Sequence, residues 1–218
     1  MTRGEIKDFC IALLDENTPS MVALVNTGIN IAQQEFVAVV HDPVRGLKTK
    51  EFVTEIGISE YHIVDDLSVT DYVDIYNLRR MTLGDEKGKP LQKAGIRIFD
   101  ITYPDTSVVS LRSVPKDYCI AEEKVTINPP DKVYTLKMRY YYLFPNLTDD
   151  AHISKINPLF HWSLFYGAME KAFAYREEEK REQWAKQMFI NIVNFAKKFV
   201  KEDKDLVIEF PVKERESF

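Results

Sequence analysis

Three acidic pairs are the residues whose type is best suited to chemistry: Asp65-Asp66, Glu122-Glu123 and Asp149-Asp150. Two carboxyl groups flanking one bond are the machinery of glycosidic hydrolysis, one serving as acid and the other as base or nucleophile. Adjacent residues of a strand point to opposite faces, so Glu122 and Glu123 do not converge on one substrate. All three pairs read as loop acids. His41, His62, His152 and His161 are scattered, and none stands at metal-ligand spacing from another His, Cys or carboxylate on one helix face. His161, beside Trp162, reads as a partly buried or surface helix residue and not as a general base. Cys10 and Cys119 lie far apart without a zinc spacing and read as buried or incidental thiols. The glycine-rich phosphate loops, the nucleophile elbow and the His-Glu-x-x-His pattern are all missing from the sequence. No catalytic residue, metal or cofactor follows from this inventory.

Binding chemistry has one candidate, the interleaved Lys137-Met138-Arg139-Tyr140-Tyr141, which has the composition of a stacking platform for single strands. The same alternation fits a half-buried strand better, with the cations on its wet face. A formal net charge of −5 also argues against tight non-specific nucleic-acid binding, which draws its affinity from cations neutralising phosphates. At 218 residues, 45% hydrophobic and 29% charged, the chain has the makings of one good core with an elaborated insertion. No apolar run reaches the length of a membrane span, and the sparse cysteines suit aqueous, reducing surroundings.

The elements that carry these residues fall into three regions. Thr2 and Glu5 have the spacing of a capping box, and Ile6, Phe9, Cys10 and Leu13 follow at helical intervals. Thr18-Pro19 then opens a longer helix to about Val40, striped by Val22, Val25, Ile29, Ala32 and Phe36. Its amides Asn26, Asn30, Gln33 and Gln34 read as a solvated back; the alternative is that they hydrogen-bond a neighbour.

From about Leu47 to Leu143 the helical period gives way to short apolar runs. Strands are expected at Tyr61 to Val64, Tyr72 to Arg80, Gly95 to Ile101, Ile120 to Ile127 and Val133 to Tyr142, the last two joined as a hairpin by Asn128-Pro129-Pro130-Asp131-Lys132. In the final strand Tyr134, Leu136, Met138, Tyr140 and Tyr142 share one face. The glycines and charges of Gly84 to Pro90 mark an exposed loop tip.

The third region is helical. It opens at Asn157-Pro158, with an apolar stripe of Trp162, Phe165, Tyr166, Met169, Ala172 and Phe173, and it resumes from Ala185 to about Lys201. The charged run 176–182 suits either a turn or a continuous helix; two antiparallel helices with a turn near Glu178 are favoured. The tail from Asp205 to Val212 is apolar and β-prone. It either returns to this chain's sheet or adds a strand to a neighbouring subunit.

The order of Val25-Asn26 to Ala32-Gln33, Ile56-Gly57 to Asp66-Leu67, Val125 to Tyr141 with its Asn128-Pro129-Pro130 turn, Leu147-Thr148, and Asn157-Pro158 to Gly167-Ala168 resembles the head-to-tail adaptor proteins of tailed bacteriophages. The resemblance runs from Met1 to about Phe199. It implies an α+β fold, a small antiparallel helical bundle carrying an inserted antiparallel β domain. The chain then divides into N-terminal helices of the bundle (1–46), the β domain (47–150), C-terminal helices of the bundle (151–202) and, from its own residues, an extended C-terminal arm (203–218). The resemblance further implies a non-enzymatic virion protein, commonly in twelve copies, forming a ring between the portal and a tail or nozzle protein, with DNA passing through the channel and no membrane contact. The loop Gly84 to Pro90 and the tail exceed the compact family pattern. The family's partner contacts therefore do not carry over to these two segments. The aromatics from Tyr140 to Ala168 read as core, so contacts of this chain's own are expected elsewhere, at Gly84, Lys87 and Gly88 and at Leu206, Val207, Ile208, Phe210 and Pro211. The alternatives are a cell-wall glycan hydrolase using two carboxylates and a binding module outside the virion.

Overall fold

The computed structural model describes residues 1–42, 46–70, 80–83, 91–104, 108–121 and 123–205. Two compact units partition the chain, one formed by Met1–Asp42 with Asn146–Phe218 and the other by Pro43–Pro145. The architecture is α+β, with helices from both ends of the chain and strands between them.

In the helical unit, α1 (Arg3–Leu14) starts in the expected capping box: Glu5 N–H donates to Thr2 Oγ1 at 3.2 Å and Thr2 N–H to Glu5 Oε2 at 2.8 Å. Two further amides of its first turn, on Arg3 and Gly4, donate to the carbonyls of His152 and Asp150, so the N-terminal donors are satisfied by the returning chain. Asp15 ends the helix in the left-handed region, with φ of 50°. α2 (Pro19–Val39) is capped by Thr18, with proline at its first position.

After the insertion, Asn157 caps a 3-10 turn (Pro158–Phe160) that feeds α4 (Trp162–Tyr175). The chain breaks at Arg176 to Glu178, where Glu177 has φ of 58° and Arg176 pairs with Glu178 at 2.9 Å, and α5 (Glu179–Asp205) leaves from there. The favoured turn near Glu178 is thus what forms. α4 packs on α2 through small residues: a Cβ on Gly28 would lie 3.0 Å from Ala168 Cα, and one on Gly167 only 2.4 Å from Ala32 Cβ. Around that contact Val25, Ile29, Leu164, Met169 and Phe173 are buried.

The inserted unit holds two sheets. One runs β1 (Leu47–Val53), β7 (Thr135–Tyr141), β3 (Arg80–Leu83), all antiparallel. The other runs β2 (Glu60–His62), β6 (Lys124–Ile127), β5 (Asp117–Ala121), β4 (Gln92–Lys93), antiparallel except for the parallel pair β4–β5. β7 matches its expected alternation, with Leu136, Met138 and Tyr140 buried and Arg139 exposed.

Several expectations are corrected. Gly95 to Ile101 is not a strand but the helix α3 (Ile96–Thr102). Ile96, Ile98 and Ile101 are exposed, so no sheet face receives them; Phe99 is buried and its ring meets Tyr103 at 4.9 Å, one helical turn on. Packing of that one turn overrides the β preference of isoleucine. The expected strand Ile120 to Ile127 is two strands, β5 and β6, reversed between Ala121 and Lys124 with Glu123 at φ of 62°. Asn128 to Lys132 is not a hairpin loop either. It carries the chain from β6 in one sheet to β7 in the other, because its prolines cannot donate to a ladder. Asn128 holds the crossing, its Oδ1 accepting from the amides of Lys116 at 2.7 Å and Asp117 at 3.1 Å. β2 is shorter than expected, with Ile63 and Val64 in the turn after it, and of Tyr72 to Arg80 only Arg80 lies within the described residues.

Candidate partner-binding surfaces

The contact residues expected from the sequence, Gly84, Lys87 and Gly88 with Leu206, Val207, Ile208, Phe210 and Pro211, lie outside the described residues. The acidic pairs do not gather. Asp66 accepts from the His62 amide at 2.6 Å, closing the turn after β2. Glu123 sits in the β5–β6 turn, and Glu122 is outside the described residues. Asp149 accepts from the Ala151 amide at 2.8 Å. Asp150 binds the Lys7 ammonium, which with its hydrogen bond and charge, and with Arg3 nearby, holds the Asp150 carboxyl below the usual range. These acids are engaged in turns and in seating α1.

His161 corrects a further expectation, since it is 1% exposed and not a surface residue. Its Nε2 lies 2.9 Å from the Ile156 carbonyl and its Nδ1 2.9 Å from the Met1 amine. The ring is a structural tie between the return loop and the chain start, which only the folded arrangement brings together.

Of the four amides on the back of α2, Asn30, Gln33 and Gln34 are bonded and not solvated, while the Asn26 Oδ1 is buried without a hydrogen-bond partner. Asn30 grips Leu147 by both peptide groups, accepting its N–H at 2.7 Å and donating to its C=O at 3.3 Å. Gln34 donates to Asn146 at 3.3 Å, and the fully buried Gln33 accepts the Ser154 hydroxyl at 2.7 Å. Together they hold the loop that returns the chain to the bundle. A run of amides at helical spacing facing a polar loop was the available sequence signal.

Buried thiols are chemically quiet. Burial pushes the Cys10 thiol up to about 12. Cys119 is raised by burial first, and then by the charges of Asp100 and Glu60 against a hydrogen bond with Thr126. It lines a cavity of about 310 Å³ beside α3, where Lys124 is paired with Glu60 at 3.2 Å. An unreactive thiol next to a neutralised cation offers no nucleophile. Among the described residues, no group of three or more His, Cys, Asp or Glu side chains is placed to hold a metal ion.

The feature that stands out is a band of aromatic rings across three helices. Phe9 of α1 meets Trp162 of α4 at 5.8 Å, Trp162 meets Tyr166 at 6.5 Å, and Tyr166 meets Trp184 of α5 at 5.5 Å. Phe9, Trp162 and Trp184 are 50, 46 and 45% exposed, and Leu13 extends the band along α1 at 50%. By helical spacing Phe9, Leu13 and Trp162 belong to apolar stripes expected to face the core. In the fold only Ile6, Cys10 and Leu14 of α1 face inward. Contiguous exposed aromatics of this kind mark an interaction surface, because Trp and Tyr contribute large contact area with few rotors to immobilise.

No helix among the described residues is long and apolar enough to cross a membrane. Compared with known proteins, the chain matches no curated sequence. It does match the family model described as SU10 adaptor protein, over residues 1–204. The chain belongs to that family, in agreement with its resemblance to phage head-to-tail adaptors.

Proposed function

We propose that this member of the SU10 adaptor protein family is a structural virion protein that forms a closed ring below the portal, joins the phage head to the tail and continues the DNA channel. Family membership carries the adaptor role, and with it a place in the virion. The ring, the portal contact and the channel are the step beyond it. The observation that supports them best is the aromatic band from Phe9 to Trp184, which leaves three large rings about half exposed and in contact across α1, α4 and α5. Copies related by rotation meet through two different faces, and such heterologous contacts close into rings. The net charge of −5 suits a wall along which DNA slides, since dense cations would retain it.

The test is imaging and sizing of the purified chain, alone and mixed with portal rings. Ring-shaped particles coaxial with the portal are the expected outcome. A chain that stays monomeric on the portal rules the reading out. Replacing Trp162 and Trp184 by lysine, both half exposed, should abolish rings while leaving the helical circular-dichroism signal in place.

A further inference from the structure

We propose that Arg112 of one copy takes the Asp65 carboxylate of the adjoining copy, so that opposite ends of the β2–β6 ladder dock head to tail. The proposal rests on the ring reading above and adds to the aromatic band a second contact between subunits, within the inserted unit.

The cation is set in place and left without an acceptor. Gly57, in the turn that leads into β2, has φ of 76°, and its N–H donates to the Pro130 carbonyl at 3.0 Å. The Arg112 guanidinium lies against it: a Cβ on Gly57 would fall 2.9 Å from Arg112 Cζ and 2.9 Å from Nη2. Arg112 Nε is buried with no hydrogen-bond partner, and no hydrogen bond or ion pair engages this side chain among the described residues. The nearby acids do not take it. Asp131 accepts the Tyr134 hydroxyl at 2.7 Å, and Glu55, two positions before Gly57, makes no ion pair among the described residues.

A guanidinium packed on a backbone has little rotamer freedom left to lose, and a carboxylate is the acceptor that matches its fork. Its rim is apolar. Ile56 and Ile58, on either side of Gly57, are 53 and 46% exposed, and Val109, whose carbonyl accepts the Arg112 N–H at 3.1 Å, is 68% exposed. An ion pair open to water contributes little, whereas one ringed by apolar contacts that exclude water contributes more.

The carboxylate stands at the other end of the same ladder. Pairing of β2 with β6 runs from Ser59, whose carbonyl accepts the Ile127 N–H at 2.9 Å, to Ile63, whose N–H donates to the Glu123 carbonyl at 3.1 Å. Gly57 lies before that start and Asp65 after that end. In the turn after β2 Asp66 accepts the His62 amide at 2.6 Å, while Asp65 is exposed and makes no hydrogen bond or ion pair among the described residues; Val64 beside it is 40% exposed. Four extended residues cover about 13 Å, so Arg112 and Asp65 of one chain stand apart, and the Asp65 that Arg112 meets belongs to another copy. Unlike ends with opposite charges and apolar flanks repeat head to tail, which is the heterologous contact a ring needs; two like ends would set cation against cation.

The test is charge reversal in the full-length chain, with self-association read by sedimentation and rings by imaging. Asp65→Lys and Arg112→Glu should each weaken self-association about tenfold and leave the circular-dichroism signal unchanged. An equimolar mixture of the two variants should assemble again, because the wild-type groups then find each other and so do the reversed ones. A second arm leaves Arg112 in place: copies carrying Ile58→Cys are mixed with copies carrying Asp65→Cys and treated with a short thiol-to-thiol linker. Covalent dimers should form in the mixture and in neither variant alone, since Cys10 and Cys119 are buried. If Arg112→Glu loses its fold, this arm decides. Undiminished rings in both charge variants, or rings without the cross-link, overturn the docking and leave the ring reading standing. A loss that the mixture does not restore, or a cysteine that links only to portal, overturns it as well. Absence of wild-type rings with and without portal overturns both.

Discussion

Gly167 and Ala32 meet with no room for a side chain between them: a Cβ on Gly167 would stand 2.4 Å from the Ala32 Cβ, with Phe189 of α5 3.4 Å away on the other side. Three helices converge on this glycine. Gly167→Ala should therefore destabilise the bundle by about 1–3 kcal/mol through overpacking, against a helix-propensity gain of about 1 kcal/mol. Urea denaturation measures it. Adding Ala32→Gly should recover part of the loss, and additive effects of the two changes would show that the contact is not the cause.

Asn30 satisfies both peptide groups of Leu147, so Asn30→Ala strands a part-buried donor and acceptor together. A loss of about 1–3 kcal/mol is expected. Hydrogen exchange at the Leu147 amide should speed up more than exchange in the middle of α4.

The Lys7 ammonium holds the Asp150 carboxyl below its ordinary value of 3.8. A depressed carboxyl contributes stability above its unfolded pKa and loses it as pH falls through the folded one. The stability gap between wild type and Asp150→Asn should thus be constant near neutrality and close below about pH 4. A gap that widens on acidification would contradict the assignment. The Asp150 side chain is 54% exposed, so salt should narrow the gap at neutral pH.

With the Cys10 thiol pushed up to about 12 and Cys119 also raised by burial, neither forms much thiolate at neutral pH. A disulfide reagent such as DTNB should titrate no thiol in the native chain and two after denaturation. Fast reaction of one thiol in the folded protein would mean that its cover opens.

Substitution of Trp184 by glutamate should leave the melting temperature nearly unchanged, because the side chain is 45% exposed. The same change should weaken self-association, read by sedimentation, if the aromatic band is the lateral contact. Loss of fold would place Trp184 in the core.

Local chemistry was legible along the chain wherever neighbours in sequence are neighbours in space. The Thr2–Glu5 capping box, the Thr18-Pro19 start, the Asn157 cap and the break near Glu178 all stand where the residues put them, since each involves atoms a few positions apart. The alternation of β7 was equally plain. Helical ends enclosing strands, and the resemblance to phage adaptors, followed from the order of these signals.

Tertiary structure decided what depends on distant partners. β1 went unrecognised because Leu47-Lys48-Thr49-Lys50-Glu51-Phe52-Val53 has no apolar alternation; its place comes from pairing with β7 some ninety positions along. The Ile96 to Thr102 segment carries a strand composition yet coils, because Phe99 is buried and its ring meets that of Tyr103 one helical turn on. The apolar stripe of α1 told that a face would be covered, but not that Phe9 and Leu13 would be left outside it. A periodic pattern records which residues share a face. Only the packed neighbours determine how much of that face is closed, and they leave the rings of Phe9, Trp162 and Trp184 about half exposed.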